Sequence, residues 1–159
     1  MLIRKYQTPD CKMLSELFYD TVHSINSKDY TEDQVNAWAT GNINLTLWDT
    51  SFLANYTLVA LDNNCIVGFG DIDKTGYLNR LYVHKEYQRR GIASALCNEL
   101  EAVAQGNIIT HASITARLFF EKRGYVLIKK QQVKKHGIAL TNFVMEKSVP
   151  STKKLCSMV

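Results

Sequence analysis

Three strand-like runs follow one another through residues 56–83, and the short turns between them restrict the fold more than any other feature of the sequence. The runs YTLVALD, CIVGFGDID and YLNRLYV are rich in β-branched and aromatic residues, and the turn-forming NN and KTG separate them. Connections this short join antiparallel neighbours, because a parallel pair needs a crossover of about a dozen residues. The sequence therefore predicts an antiparallel meander.

Helical patterns lie on both sides of this meander. An apolar stripe at three- and four-residue steps predicts a helix over residues 13–25, and the capping pattern TEDQ predicts a second helix opening at Thr31. After the meander we expect a helix from Gly91, a strand over 107–113, a short helix over 114–124 and two closing strands. The predicted order βααβββαβαββ belongs to the α/β (α+β) class, with a mixed, mostly antiparallel twisted sheet and helices on both faces.

Length and composition are typical of one soluble globular domain: 159 residues, 46% hydrophobic and 21% charged. We expect the domain to span residues 1–147 and the polar, aperiodic residues 148–159 to form a loose tail. No apolar run approaches about 20 residues and no charged-then-apolar leader is present, so we expect a cytoplasmic protein without a membrane span. The four cysteines are scattered, which predicts reduced thiols and no metal site.

The stretch VHKEYQRRGIASAL, residues 83–96, starts a helix-like run in an unusual way. Helices normally begin with a Ser, Thr, Asp or Asn cap and acidic residues, because the first backbone N–H groups are unpaired and the macrodipole is positive there. Arg89, Arg90 and Gly91 stand at that point instead, which suits a helix start that receives an anion such as a phosphate. The alternative interpretation is a turn glycine preceded by two exposed arginines.

Two motifs resemble those of the GNAT superfamily of N-acetyltransferases. The strand LYV followed by Q-x-x-G-x-A, at Gln88, Gly91 and Ala93, resembles the coenzyme A signature of that family. The segment ASITARLFFEKRGY resembles its second motif, a short helix that ends at Gly124 before the aromatic Tyr125. The predicted strand order matches the family over nearly the whole chain. The segment YTEDQVNAWA resembles one found in a subgroup of uncharacterised bacterial acetyltransferases, which implies a partly apolar acceptor pocket.

This resemblance implies transfer of an acetyl group from acetyl-CoA, the cosubstrate, to an amine of a small molecule or protein, by direct attack in a ternary complex without a metal. It also implies that the strand over 81–83 splays from its neighbour and offers backbone groups to the pantetheine arm, while residues 88–94 hold the pyrophosphate. The residues implied at the coenzyme are Leu81, Tyr82, Val83, Gln88, Arg89, Arg90, Gly91, Ile92, Ala93, Ser94, Ser113 and Phe120.

The sequence identifies the catalytic residues less clearly than the coenzyme-binding residues. Many family members carry a tyrosine in the second motif whose hydroxyl faces the coenzyme sulfur, whereas the matching residue here is Phe120, which donates no proton. A thiol has a reference pKa of about 8.5, so its thiolate leaves tolerably well near neutral pH. Tyr82 or a water is a candidate replacement acid, and His84 and Asp71 are favoured for the general base. The other candidates for the base are Asp73, Asn79 through a bound water, and His111.

Two other functions stay open at this point. Phe120 and the lack of an obvious base are compatible with a coenzyme-A-binding sensor that has lost catalysis. The net charge of +4 and the lysines of KKQQVKKHG are compatible with nucleic-acid binding, but lysines on an edge strand also discourage unwanted strand pairing. We therefore expect an amine as partner, and neither nucleic acid nor a membrane. The sequence leaves a homodimer open.

Overall fold

The computed structural model describes residues 1–149, in which seven strands form one open sheet. The elements are β1 (Leu2–Lys5), α1 (Cys11–Ser24), α2 (Glu32–Trp38), α3 (Leu45–Ala54), β2 (Tyr56–Asp62), β3 (Cys65–Ile72), β4 (Tyr77–Val83), α4 (Ile92–Ala102), β5 (Ile108–Ser113), α5 (Arg117–Lys122), β6 (Val126–Lys135) and β7 (Ile138–Lys147). Neighbouring strands follow the order β1-β2-β3-β4-β5-β7-β6, so β1 and the lysine-rich β6 are the edges.

The central meander forms as the sequence predicts. β2 pairs with β3, and β3 with β4, in antiparallel register. Asn63 and Asn64 make the first turn with φ of 49° and 64°, values that asparagine tolerates better than most residues and that suit a two-residue hairpin. β4 and β5 run parallel, so the predicted mixed and mostly antiparallel sheet is confirmed.

Helices cover both faces, as predicted, but the structure has one more than the predicted order. α1, α2 and α3 pack around an aromatic core on one face, and α4 and α5 cover the other. The additional helix is α3, and Asn44 caps it by accepting the Leu47 N–H at 3.1 Å. Its Leu47 and Leu53 are exposed while Phe52 is buried, so its apolar residues follow no single stripe and periodicity does not reveal it.

Helix α4 approaches the sheet closely because two glycines lie beneath it. A Cβ added at Gly68 would lie 3.0 Å from Ile92 Cγ2, and one added at Gly70 would lie 2.9 Å from Leu100 Cδ1. A side chain at either glycine would require the facing side chains of α4 to move. The two glycines of β3 therefore set the distance of α4 from the sheet, and with it the position of the helix N-terminus.

The packed chain extends slightly beyond the predicted end of the domain. Val149 is buried, and its backbone N–H donates to Asn107 Oδ1 at 3.1 Å. The rest of the predicted tail, residues 150–159, lies outside the described residues, and so does Cys156. The other three cysteines are free thiols, as predicted: Cys11, Cys65 and Cys97.

Charged groups join the last turn of α4 to β7 and to the end of α5. The Glu101 carboxylate accepts from Arg123 Nη2 at 2.9 Å and from Lys147 Nζ at 2.8 Å. It also accepts from the Tyr125 hydroxyl at 2.9 Å. Burial by itself raises the pKa of Glu101, but these hydrogen bonds outweigh it and hold the pKa below its usual range.

We expect Glu101→Gln to lower the free energy of unfolding by about 2 kcal/mol near neutral pH, because Arg123 and Lys147 lose their carboxylate in a largely buried setting. The matched control is Glu121→Gln. Glu121 accepts from Arg117 Nε at 2.8 Å, but both side chains are well exposed, so this change should cost about 0.5 kcal/mol or less. Urea unfolding of the three proteins measures both values.

The stabilisation by Glu101 should depend on pH. Since its pKa is depressed in the folded state, the contribution is present above the unfolded-chain pKa of about 4.3 and is lost as pH falls through the folded-state pKa. The difference between wild type and Glu101→Gln should therefore shrink as unfolding is measured at successively lower pH. A difference that stays constant would contradict this account.

Candidate active site

A gap opens between β4 and β5 beyond their first two pairs. The parallel pairing joins only Tyr77 with Ile109 and Leu78 with Thr110. Opposite Asp71 and Ile72 the register of β4 shifts by one residue, so that Asn79 is left as a bulge. Because a bulge bends its strand and increases the local twist, β4 continues along β3 while diverging from β5.

The diverging part of β4 directs backbone groups into this gap. The His84 N–H donates to the Val67 carbonyl at 2.8 Å, which fixes the hydrogen-bonding side of β4 toward β3 at that residue. Since successive residues of a strand alternate their backbone groups, the amides of Val83 and Leu81 point the opposite way. The backbone groups of β4 that are expected to bind a pantetheine arm therefore point into the gap.

The start of α4 lies at one end of the gap. Gly91 caps the helix with φ of +81°, no side chain caps it, and its first turn carries no acidic residue. The first intrahelical bond runs from the Ala95 N–H to the Gly91 carbonyl at 3.0 Å, so helix geometry leaves the N–H groups of Ile92, Ala93 and Ser94 without intrahelical partners. A Cβ at Gly91 would meet nothing within 4 Å, so the space in front of these amides is open.

Side chains tie the end of β4 to its surroundings. Gln88 Nε2 donates to the Val83 carbonyl at 2.6 Å, and Thr21 Oγ1 of α1 donates to the same carbonyl at 3.1 Å. The Gln88 side chain thus holds the strand end against the loop, while Arg89, with φ of +60°, faces the cavity. Arg90 does not line the cavity, and its guanidinium lies over the Tyr87 ring at 4.8 Å.

The gap and the α4 start belong to one cavity of about 730 Å³. Of the residues expected at the coenzyme, all except Arg90 line it: Leu81, Tyr82, Val83, Gln88, Arg89, Gly91, Ile92, Ala93, Ser94, Ser113 and Phe120. Ser113 accepts the Ala116 N–H at 3.1 Å and so orders the turn before α5. Phe120 is buried at 3% exposure and forms part of an apolar wall with Phe119.

The other end of the cavity is built by residues that the sequence analysis missed. Thr21, Ile25, Asn26 and Lys28 come from the end of α1 and the short turn that follows it, and Tyr87 comes from the loop before α4. These residues carry no motif, and they reach the cavity because α1 crosses the sheet face above β4. The tertiary arrangement was needed to find them. Trp38, Asn79 and His111 complete this end of the cavity.

His111 is the histidine that lines the cavity. It lies on β5, where the strand faces the gap, and its ring forms an edge contact with Tyr77 at 5.1 Å between centroids. Burial, and then the nearby charge of Lys129, lower the pKa of His111 from its ordinary value. The imidazole is therefore neutral at physiological pH and able to accept a proton.

Tyr82 is the half-buried hydroxyl-bearing residue of β4 at the same end. Its ring packs edge-on against Phe18 at 4.9 Å and lies 5.7 Å from Phe69. Burial raises the pKa of the Tyr82 hydroxyl well above its ordinary value, although a hydrogen bond with Trp38 opposes the shift. Tyr82 therefore keeps its proton and can donate a hydrogen bond through its hydroxyl.

The structure places neither of the two favoured candidates for the base on the cavity wall. Asp71 is fully buried and does not line the cavity; it accepts from Arg80 Nη2 at 2.5 Å and from Asn55 Nδ2 at 2.9 Å. His84 also lies off the cavity wall, and its Nδ1 accepts the Glu86 N–H at 3.1 Å. Both are occupied by structural hydrogen bonds, because each stands where a strand or turn needs an acceptor.

Asp73, another candidate base, likewise has a structural role. Its Oδ1 accepts the N–H groups of Thr75 and Tyr77 at 2.8 Å and 3.0 Å, which stabilises the turn between β3 and β4.

Within residues 1–149, no group of three or more His, Cys, Asp or Glu side chains is placed to hold a metal ion. In the same part of the chain no helix is both long and apolar enough to span a membrane.

Comparison with known sequences agrees with this geometry. A family model described as an acetyltransferase (GNAT) domain matches residues 26–147. The uncharacterized N-acetyltransferase YafP of Escherichia coli (strain K12) is 37% identical over 144 residues, which are 90% of this chain and 93% of that protein. The chain therefore belongs to the GNAT acetyltransferase family, and it is an acyltransferase by class, as its loop motif predicts.

Solved structures share the same fold. A GCN5-related N-acetyltransferase from Rhodopseudomonas palustris has a TM-score of 0.89 at 29% identity, with 93% of this chain and 95% of that chain covered. The PaiA N-acetyltransferase from Thermoplasma acidophilum, solved in complex with coenzyme A, has a TM-score of 0.76 at 19% identity, with 93% and 98% covered. These likenesses confirm the predicted fold class.

We expect Asp71→Ala to lower the free energy of unfolding by about 3 kcal/mol, because it leaves the Arg80 guanidinium in the protein interior without its carboxylate. Asp73→Ala is the matched control. It removes a half-buried turn acceptor that directly follows the same strand and should cost about 1 kcal/mol. Thermal and urea unfolding measure both. A variant at Asp71 that keeps full stability but loses activity would restore this carboxylate as a candidate base.

Proposed function

We propose that this protein transfers the acetyl group of acetyl-CoA directly to a primary amine, with His111 as the general base. The observation that carries the proposal is that the open α4 N-terminus, the splayed β4 strand and a neutral histidine all face one cavity. The first two suit a coenzyme and the third suits an amine that must lose a proton.

The residues present fit coenzyme A in shape and charge. The free amides at Ile92, Ala93 and Ser94, together with the helix dipole, suit a diphosphate, and Arg89 adds a cation beside them. The amides of Leu81 and Val83 suit an amide-rich arm that pairs like a short strand. The complex of the Thermoplasma acidophilum protein with coenzyme A supports the same assignment here.

The chemistry requires one bond to form and one to break. Acetyl-CoA supplies an activated acyl carbon; the amine nitrogen bonds to that carbon as the carbon–sulfur bond breaks. His111 receives the proton that the nitrogen releases, and the N–H of Val83 is placed to donate to the negative charge that develops on the thioester oxygen. Binding both reactants in one cavity supplies the rest by orientation.

In this proposal the Tyr82 hydroxyl donates a hydrogen bond to the departing thiolate, which leaves without taking that proton because the pKa of Tyr82 lies well above that of a thiol. Phe120 occupies the position of the tyrosine that many family members use, and Tyr125 is engaged with Glu101, whereas Tyr82 is a protonated phenol on the cavity wall. Because a thiolate leaves readily without help, this contribution should be small. Tyr82→Phe should therefore retain much of the activity.

Gly91→Glu should weaken acetyl-CoA binding at least tenfold, because a carboxylate placed before the α4 amides repels the diphosphate. The substitution strains the backbone because Gly91 has φ of +81°, but a Cβ there meets no atom within 4 Å, so the fold should survive. Gly137→Glu is a matched control: Gly137 has φ of +79°, also faces open space, and lies in the β6–β7 turn away from the cavity. Calorimetric titration with acetyl-CoA and thermal unfolding separate the two effects. Equal affinity of the two variants would remove the α4 start from the site.

His111→Gln should lower kcat by roughly a hundredfold, which is typical of the loss of a general base. His84→Gln should stay within about threefold of wild type, because His84 lies outside the cavity wall. Release of free thiol from acetyl-CoA in the presence of an amine measures both. The opposite order of effects would move the base to His84.

The pH profile gives a second test of His111. Its pKa lies below the ordinary value of 6.5, so the imidazole becomes deprotonated, and active as a base, as pH rises through a value under 6.5. We expect an acidic limb of kcat/KM with an apparent pKa in that range for wild type, and no such limb for His111→Gln. A limb that persists in the variant would assign the titration to another group.

A further inference from the structure

The acceptor end of the cavity has a distinctive charge balance. Among residues 1–149, no Asp or Glu side chain lines the cavity, whereas Lys28 lines it at the rim beside Asn26 and Ile25. Lys28 makes no ion pair with any acidic group in this part of the chain. Its neighbour in sequence, Asp29, does not line the cavity and accepts from Thr115 Oγ1 at 2.8 Å. A cation entering this end meets no carboxylate there.

A second cation lies near the histidine of this region, because His111 of β5 and Lys129 of β6 both pair with Val144 of β7. Lys129 of β6 contributes to the lowered pKa of His111, which means that its positive charge reaches the imidazole on the cavity wall. Lys28 on the cavity wall and Lys129 near His111 thus both add positive charge at the acceptor end. Positive charge around the site favours the neutral form of a bound amine, which is the form that attacks the thioester.

The remaining wall is largely apolar. The rings of Trp38 and Tyr82 and the side chain of Ile25 line the cavity at this end. Trp38 is held in place by an edge contact with Tyr30 at 5.3 Å, and the Tyr30 hydroxyl in turn donates to the Thr141 carbonyl at 2.7 Å. This wall offers a fixed apolar surface to the body of an acceptor molecule.

We propose that the acceptor is a small amine with one amino group, an apolar body and an anionic group, such as a carboxylate, that pairs with Lys28. This inference rests on the proposed function. Compounds with two or more ammonium groups are disfavoured, because their second cation would face Lys28 without a compensating carboxylate. An anionic group on the substrate also offsets the positive charge at this end of the cavity.

The first experiment compares three kinds of acceptor with the full-length wild-type protein at fixed acetyl-CoA: apolar α-amino acids, the carboxamides of the same amino acids, and linear diamines. We expect kcat/KM to fall in that order, even though the carboxamides have the less basic and therefore more readily neutral amine. Faster acetylation of diamines or of peptide amino termini would overturn the inference. So would failure to acetylate any apolar amino acid by protein that binds acetyl-CoA.

The second experiment reverses the charge at the rim. Lys28→Glu should lower kcat/KM for the amino acids roughly tenfold and raise it for diamines, while the affinity for acetyl-CoA stays unchanged. Lys74→Glu is the matched control, because Lys74 is an exposed lysine of the β3–β4 turn that does not line the cavity. It should leave the preference among acceptors as in wild type. An unchanged preference in Lys28→Glu would overturn the role of this lysine.

The two levels of proposal fail in different ways. Wild-type protein that does not bind acetyl-CoA in calorimetry contradicts the proposed function itself. Protein that binds acetyl-CoA and acetylates diamines best leaves the proposed function intact and contradicts only the acceptor class.

Discussion

The site depends on the bulge at Asn79, where β4 leaves its partner β5. The paired residues Asp71 and Arg80 stand beside this bulge, and the Arg80 guanidinium lies 4.2 Å from the centre of the Phe52 ring. The guanidinium also donates to Ser51 Oγ at 2.6 Å, which ties α3 to the same point. A buried charge pair is costly when broken, so it holds the strand in one arrangement. The carboxylate that looked like a base in the sequence is thus part of the support for the site.

Two close approaches then place the binding groups around the gap. Gly68 and Gly70 allow α4 to lie close on β3, which brings its N-terminus to the end of β4. The Val83 carbonyl receives hydrogen bonds from Thr21 of α1 and from Gln88 of the loop, so helices on opposite faces of the sheet are positioned by one strand end. The coenzyme end and the acceptor end of the cavity are consequently fixed relative to each other.

The cavity wall carries both apolar side chains and side chains that can hold a proton. Phe120 adds an apolar wall to the cavity, and the buried Tyr125 is hydrogen-bonded to Glu101. In the proposed mechanism the groups that act on the acceptor side are His111 and Tyr82, whose environments push their pKa values apart. A histidine that favours its neutral form and a phenol that keeps its proton suit the roles of base and hydrogen-bond donor.

Local patterns in the sequence determined the meander, the capping box at Thr31 and the helix start at Gly91, because turn preferences, capping and apolar period act between residues close in the chain. They also identified the family, through the spacing of Gln88, Gly91 and Ala93. The pattern could not reveal α3, whose apolar residues follow no single stripe, nor choose among histidines and aspartates of similar intrinsic chemistry. Only the tertiary structure shows that His111 and Lys28 line the cavity and that Asp71 and His84 do not. Those assignments depend on which strands diverge and which helix crosses them, and such contacts between distant segments leave no periodic trace in a single sequence.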